Sequence, residues 1–198
     1  MSISSFYCLF IKSLELNLGK KLGEGGFCSV FEVTELNLSS EPASAAEQNH
    51  KSEIKEFHTR EYMSTACLRR NSLGKDEARY AVKRLSEKSL ADEDLFEKGI
   101  ADLAIEAHFL AVIQHRNIIK VRGYALGDFC TERFFIMMDQ LHDTLEGAIR
   151  KWKESVRKNS SVLKGMSGGK KKVQDLFSER IAYAWDIANA MEFLHSKK

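Results

Sequence analysis

The sequence predicts an α+β fold, and three segments carry this prediction. Residues 29–33 alternate in character and are rich in β-branched and aromatic side chains, so the chain leaves the preceding glycine-rich loop as a β-strand. Residues 95–114 and 176–197 place apolar side chains at helical spacing. Strands that flank a glycine turn, followed by amphipathic helices, indicate a sheet against which helices pack.

The composition is that of an ordinary globular protein. The 198 residues are 43% hydrophobic and 29% charged, which is enough to bury a core. The net charge of +2 is too small to indicate nucleic acid or an acidic membrane as a partner. An apolar run at residues 6–11 is too short to cross a bilayer, and we interpret it as a strand or a packing arm.

The four cysteines are widely spaced and form no C-x-x-C pair. This pattern favours reduced thiols over a disulfide framework or a zinc site, so we predict no metal site within this chain. It also favours a cytoplasmic location, with the nucleus as the alternative. The four residues are Cys8, Cys28, Cys67 and Cys130.

The loop at Gly23, Gly25 and Gly26 predicts a phosphate-binding hairpin. Three glycines in four positions let bare backbone N–H groups approach an anion, because no Cβ stands in the way. A dinucleotide-binding loop or a P-loop would lead into a helix N-terminus, whereas this loop leads into a strand. A dinucleotide-binding protein is therefore disfavoured.

Lys83 and Glu106 form a predicted ion pair. Lys83 ends the strand-like run that begins at Tyr80. Glu106 lies on the apolar stripe of the helix predicted at residues 95–114, three positions after Leu103. A carboxylate on a core-facing stripe is costly unless a cation meets it, and Lys83 is the nearest candidate in the chain.

These motifs together resemble those of the protein kinases. Gly23-x-Gly25-x-x-Cys28-x-Val30 followed by Ala81-Val82-Lys83 is similar to the glycine-rich loop and third-strand lysine of that family, although Cys28 stands where the third glycine usually is. The resemblance covers about residues 14–198 apart from two insertions. It implies a kinase-like fold, with a five-stranded antiparallel small-lobe sheet and one helix, followed by the first helices of an incomplete α-helical large lobe.

The resemblance also implies a site for ATP. Lys83 would hold the α- and β-phosphates and Glu106 would orient Lys83, which makes them the expected catalytic pair. Met138 would be the gatekeeper of the adenine pocket, and the backbone of Asp139 and Leu141 would meet the adenine edge. The residues expected to bind ATP are Leu22, Gly23, Glu24, Gly25, Gly26, Phe27, Cys28, Val30, Ala81, Lys83, Met138, Asp139 and Leu141.

The predicted domain organisation has three parts. Residues 1–13 form an N-terminal arm, residues 14–141 the small lobe and hinge, and residues 142–198 the start of the large lobe. Polar, irregular stretches at 35–78 and 158–175 are predicted insertions. We expect the first part of the earlier insertion to be disordered, residues 54–68 to form a surface helix, and the later insertion to be a flexible basic linker.

The resemblance therefore implies the ATP-binding part of a kinase that transfers the γ-phosphate to a protein serine or threonine hydroxyl, with tyrosine as the less favoured acceptor. The catalytic loop and the Mg²⁺ ligands of such kinases would follow residue 198, so Mg²⁺ is expected only for the complete domain and this chain is predicted to be inactive alone. The alternative is a non-catalytic nucleotide-binding or scaffold module. The apolar side of residues 176–197 is predicted to be exposed, where it would favour a partner or aggregation.

Overall fold

The computed structural model describes residues 8–38, 50–70, 76–162 and 168–197. Within these residues the fold is α+β, as predicted, with eight β-strands and five α-helices. The strands are β1 (Leu9–Ile11), β2 (Leu16–Glu24), β3 (Cys28–Leu36), β4 (Leu68–Arg70), β5 (Asp76–Ala78), β6 (Tyr80–Leu85), β7 (Val121–Ala125) and β8 (Phe135–Asp139). The helices are α1 (His50–Thr65), α2 (Glu87–Leu90), α3 (Glu93–Val112), α4 (Leu145–Val162) and α5 (Gly168–His195), and a short 3-10 turn occupies Ser13–Glu15.

The described residues divide into two compact units, and each is described by itself. The first contains the described residues up to Gln114 together with Ile119–Gln140. It therefore holds all eight of these strands and helices α1 to α3. The second contains His115–Ile118 and the described residues from Leu141 onward, with helices α4 and α5.

Six strands form one mixed sheet in the order β1-β7-β8-β6-β3-β2. Strands β7, β8, β6, β3 and β2 pair antiparallel in that order, whereas β1 pairs parallel with β7. The prediction of a five-stranded, wholly antiparallel sheet is therefore wrong. The additional strand comes from the N-terminal arm, because Leu9 and Ile11 are buried while Phe10 points outward. Gly123 allows this approach, since a Cβ there would lie 2.5 Å from Ile11 Cδ1.

Helix α3 packs on the sheet through the predicted apolar stripe. Ile100, Leu103 and Ala107 are buried at helical spacing, and the helix contacts β6, β7 and β8. The helix begins after Asp92, whose side chain accepts a hydrogen bond from Leu95 N at 2.9 Å. The helix predicted at 95–114 is therefore confirmed, with bounds shifted by about two residues.

Helix α1 lies in the first predicted insertion, at about the position of the predicted surface helix, and Phe57 and Tyr62 are exposed on it. Arg60 and Met63 are buried, and so is Cys67, which follows the helix and donates a hydrogen bond from Sγ to Val33 O at 3.5 Å. The helix is therefore a surface helix with one side buried, and this side was not evident from the sequence. The part predicted to be disordered includes residues 39–49, which lie outside the described residues.

The second unit consists mainly of helices α4 and α5. Trp152 packs edge-on against Tyr183 with ring centroids 5.1 Å apart, which joins the two helices. The predicted linker at residues 158–175 was wrong at both ends, because α4 continues to Val162 and α5 begins at Gly168. The lysines at positions 170–172 are good helix formers, which favours a helix at the start of α5.

Helix α5 carries many exposed apolar side chains. They include Phe177, Ile181, Tyr183, Trp185, Ile187 and Met191. The exposure predicted for this helix is therefore present, while a partner for it stays a prediction. In the described part of the chain, α5 included, no helix combines the length and the apolarity needed to cross a bilayer.

Candidate functional site

Lys83 and Glu106 meet in the first unit. Lys83 lies in the middle of β6, opposite Val30 of β3 and Ile136 of β8. Its Nζ donates a hydrogen bond to Glu106 Oε2 on α3. The two side chains are 24% and 32% exposed, so solvent reaches both members of the pair. The pairing inferred from the core-facing carboxylate is therefore present, and both side chains are partly accessible to solvent.

The glycine-rich loop forms a tight hairpin between β2 and β3. Gly25 N donates to Cys28 O at 2.7 Å, which leaves Gly26 and Phe27 as the two-residue tip. A Cβ at Gly23 or Gly26 would meet no atom within 4 Å, and neither residue has a positive φ. The fold itself does not require glycine at these two positions. Glycine there keeps the surface of the hairpin open for the close approach of another molecule.

The tip of the hairpin is attached to the helical region through Phe27. The Phe27 carbonyl accepts hydrogen bonds from Ser86 N and from Ser89 Oγ, both at 2.8 Å. A Cβ at Gly99 of α3 would lie 3.0 Å from Phe27 Cβ, so the ring side of Phe27 packs closely on this helix. The hairpin is thereby held on the same helix that carries Glu106.

Sequence reasoning missed the two serines and Gly99. Ser86 is the N-cap of α2, and its Oγ accepts from Ser89 N at 3.2 Å, so a helix-start pattern at Ser86-Glu87 was available as a local signal. No local signal could show the contact with Phe27, because that residue is about 60 positions away in sequence.

One face of the sheet gathers most of the apolar residues predicted to surround adenine. Val30 is paired with Lys83 in the β-ladder, and Ala81 is paired with Met138. Paired residues on adjacent strands project to the same side, and so do residues two apart on one strand. Val30, Ala81, Lys83 and Met138 therefore share one face of the sheet, with the ion pair next to the apolar residues.

Asp139 is the last residue of β8, and its carboxylate forms an ion pair with Arg122. Arg122 donates from Nε to Oδ1 at 2.8 Å and from Nη2 to Oδ2 at 2.6 Å, a bidentate pair. This hydrogen-bonded pair raises the pKa of the Arg122 guanidinium. The Asp139 carboxylate is thus held by Arg122, while its backbone would remain the predicted contact for adenine.

Three other residues predicted to bind ATP, Leu22, Glu24 and Leu141, are exposed to solvent. Leu22 is 37% exposed on β2, and Glu24 accepts a hydrogen bond from Lys21 Nζ at the surface. Leu141 belongs to the second unit and is 68% exposed. The predicted contacts of these three residues with ATP stay predictions.

Cys28 stands where the resemblance to protein kinases would place a third glycine. Its side chain is buried at 5% exposure, and this burial raises the pKa of the thiol although the charge of Lys83 lowers it. Cys28 is therefore a neutral, packed thiol at physiological pH. Buried thiols of this kind are poor nucleophiles, and the predicted contact of Cys28 with ATP stays a prediction.

No family model matches this sequence. The similarity to protein kinases therefore rests on the motif residues themselves. Among the described residues, no group of three or more His, Cys, Asp or Glu side chains is arranged to hold a metal ion.

Proposed function

We propose that this chain binds ATP as the small lobe of a protein kinase. The observation that carries the proposal is the Lys83–Glu106 pair, half open to solvent, on the face of the sheet that also carries Val30 and Ala81. A cation beside an apolar surface is what a phosphorylated, aromatic ligand requires. In this proposal, backbone N–H groups of the hairpin also contact the phosphates.

In this proposal each residue has a defined task. Lys83 contacts phosphate oxygens, and Glu106 holds its ammonium group in place. Val30, Ala81 and Met138 supply an apolar surface for the base, since a flat aromatic ring is bound by burial of its faces. The glycines at positions 23 and 26 let the hairpin lie close to the phosphates without steric interference.

The antiparallel part of the sheet supports a kinase-like assignment. Strands β2, β3, β6, β8 and β7 with α3 match the small lobe that the resemblance implies. We assign residues 14–141 to the small lobe and hinge and residues 142–198 to the start of the large lobe. Transfer of the γ-phosphate to a protein serine or threonine hydroxyl belongs to the complete domain in this proposal.

Titration with a fluorescent ATP analogue tests the proposal. We expect saturable binding that weakens by at least about tenfold in Lys83→Ala, because a charge-assisted hydrogen bond contributes about 1.5 to 3 kcal/mol. Lys98→Ala removes an exposed lysine from α3 and is the matched control, which should bind as the original chain does. Equal affinity of Lys83→Ala and Lys98→Ala, with both variants folded by circular dichroism, would overturn the proposal.

A further inference from the structure

Helix α5 packs on its own unit through one side. Tyr183 contacts Trp152 of α4, and Phe193 stacks on His115 with ring centroids 4.9 Å apart. At about 100° of rotation per residue, Tyr183 and Phe193 lie within about 80° of each other around the helix axis. This side of α5 is therefore occupied by contacts within the second unit.

The opposite side of α5 carries an exposed apolar stripe. Its members follow one another at spacings of four, three, four and three residues, which is the a and d repeat of a coiled coil. The same rotation per residue places the centre of this stripe nearly opposite Tyr183 and Phe193. The members are Phe177, Ile181, Ala184, Ala188 and Met191, and all five are exposed. An exposed repeat of this kind predicts another helix as the partner.

The exposed apolar area of α5 is large enough for a specific interface. Three large side chains of the stripe and two that flank it are 47% to 64% exposed, namely Phe177, Ile181, Trp185, Ile187 and Met191. A large side chain offers about 200 Å² when fully exposed, so these five leave roughly 500 Å² open to solvent. Two copies would bury about 1,000 Å² in total, which is the lower limit for a specific interface. A second copy of this chain therefore supplies the required area.

The order of large and small residues on the stripe favours an antiparallel second copy. In a parallel pair identical residues face each other, so Ala184 and Ala188 would form two successive layers with little apolar surface to bury. In an antiparallel pair, the register that places Ile181 opposite Ala184 of the second copy also places Phe177 opposite Ala188 of the second copy. Each alanine then faces a large side chain, which fills the interface without voids.

We propose that two copies of this chain associate through their α5 helices in antiparallel orientation. The pair has twofold symmetry, so each copy contributes the same stripe and the contact closes after two copies. The side of α5 that carries Tyr183 and Phe193 keeps its contacts within the second unit. The interface is independent of the nucleotide proposal, because it uses neither Lys83 nor the glycine hairpin.

Sedimentation velocity of the 198-residue chain at micromolar concentration tests this association. We expect a species with twice the 22.5 kDa mass of the chain. Ile181→Glu places a charge in the stripe and should shift the chain to the monomer mass. Ile105→Glu makes the same change at an exposed isoleucine of α3 and should leave the dimer mass unchanged. The proposal is overturned if the original chain is monomeric or forms only aggregates of undefined mass, or if the two variants, both folded by circular dichroism, sediment alike.

Disulfide cross-linking tests the antiparallel register. The starting chain carries Cys130→Ala, which removes its exposed cysteine. Neither Phe177→Cys nor Ala188→Cys should cross-link alone under mild oxidation, because the register places identical positions of the two copies about 16 Å apart along the helix axis. Their equimolar mixture should yield a disulfide-linked dimer, since positions 177 and 188 then face each other within disulfide reach. Cross-linking of either variant alone, or no cross-linking in the mixture, would overturn the proposal.

Discussion

Two glutamate ion pairs in the first unit differ mainly in their exposure to solvent. Arg60 and Glu15 join α1 to the 3-10 turn before β2, and their side chains are only 3% and 4% exposed. Lys83 and Glu106 join β6 to α3, and theirs are 24% and 32% exposed. A half-exposed pair can admit a ligand beside its charges, whereas a buried pair can only hold the fold together.

The buried pair is supported by additional hydrogen bonds. Arg60 Nη2 donates to Glu15 Oε1 at 3.0 Å, and Arg60 Nη1 donates to Phe10 O at 3.1 Å. Glu15 Oε2 accepts from Lys12 N at 2.7 Å. Both charges therefore have several partners, which is the condition under which a buried ion pair is tolerated. The buried pair consequently marks a structural region, and the half-exposed pair marks the candidate site.

The largest expected effect comes from breaking the buried pair. Arg60→Met leaves the Glu15 carboxylate without its cationic partner, and we expect the free energy of unfolding to fall by about 3 to 5 kcal/mol. Urea denaturation followed by circular dichroism measures this change. Arg133→Met, at an exposed arginine, is the control and should change stability by less than about 0.5 kcal/mol. A similar small change in Arg60→Met would contradict the structural role of the pair.

The next largest effect is a dependence of stability on pH, caused by the buried Cys67 that follows α1. Burial raises the pKa of the Cys67 thiol from 9.0 to about 11. Below pH 9 the thiol is protonated in both states, so its contribution to stability is complete. Between pH 9 and pH 11 the unfolded chain releases the proton first, and stability falls as pH rises, by at most about 2 to 3 kcal/mol.

Two cysteine variants separate the contribution of the Cys67 thiol to this pH dependence from that of the other titrating groups. Cys67→Ala should show a shallower loss of stability over that pH range, measured by urea denaturation at each pH. Cys130→Ala changes an exposed cysteine and should keep the original slope. Equal slopes in the two variants would mean that Cys67 is not protected by burial.

A smaller effect on stability is expected at the half-exposed pair. Lys83→Ala should lower the free energy of unfolding by no more than about 1 kcal/mol, because solvent screens the pair. The same variant should lose much of its affinity for the ATP analogue. Thermal denaturation alongside the titration measures both quantities. A stability loss as large as that of Arg60→Met would remove the distinction between the two pairs.

The smallest effect is expected at the hairpin, with opposite signs for stability and binding. Gly26→Ala should raise the free energy of unfolding by about 0.4 to 1 kcal/mol, since the added methyl meets no atom and reduces the entropy of the unfolded chain. It should also weaken binding of the ATP analogue, because the methyl occupies the open surface. Gly99→Ala is the contrasting control and should destabilise, since its Cβ would lie 2.8 Å from Leu85 Cδ2. Unchanged nucleotide affinity in Gly26→Ala would argue against a phosphate beside the hairpin.

The sequence alone was sufficient for the local elements and for the central pair. Alternating β-branched residues predicted the strand that follows the glycine loop, and helical spacing predicted α3. The same spacing located Glu106 on the buried stripe, and the cost of an unpaired carboxylate indicated Lys83 as its partner. The strand and helix inferences succeed because they depend on residues within one turn or one strand of each other. The pairing of Lys83 with Glu106 joins residues 23 positions apart, and it could be inferred because an unpaired carboxylate on a buried stripe is costly.

Tertiary structure decided the features that join distant segments. The parallel pairing of β1 depends on Gly123, the buried Arg60 of α1 bonds to Glu15 and Phe10, and the hairpin tip is held by Ser86 and Ser89. Each contact joins residues more than about 40 positions apart, and its free energy appears only when the chain has folded. Local patterns carry no information about such contacts, because burial is a property of the packed chain and not of any single segment.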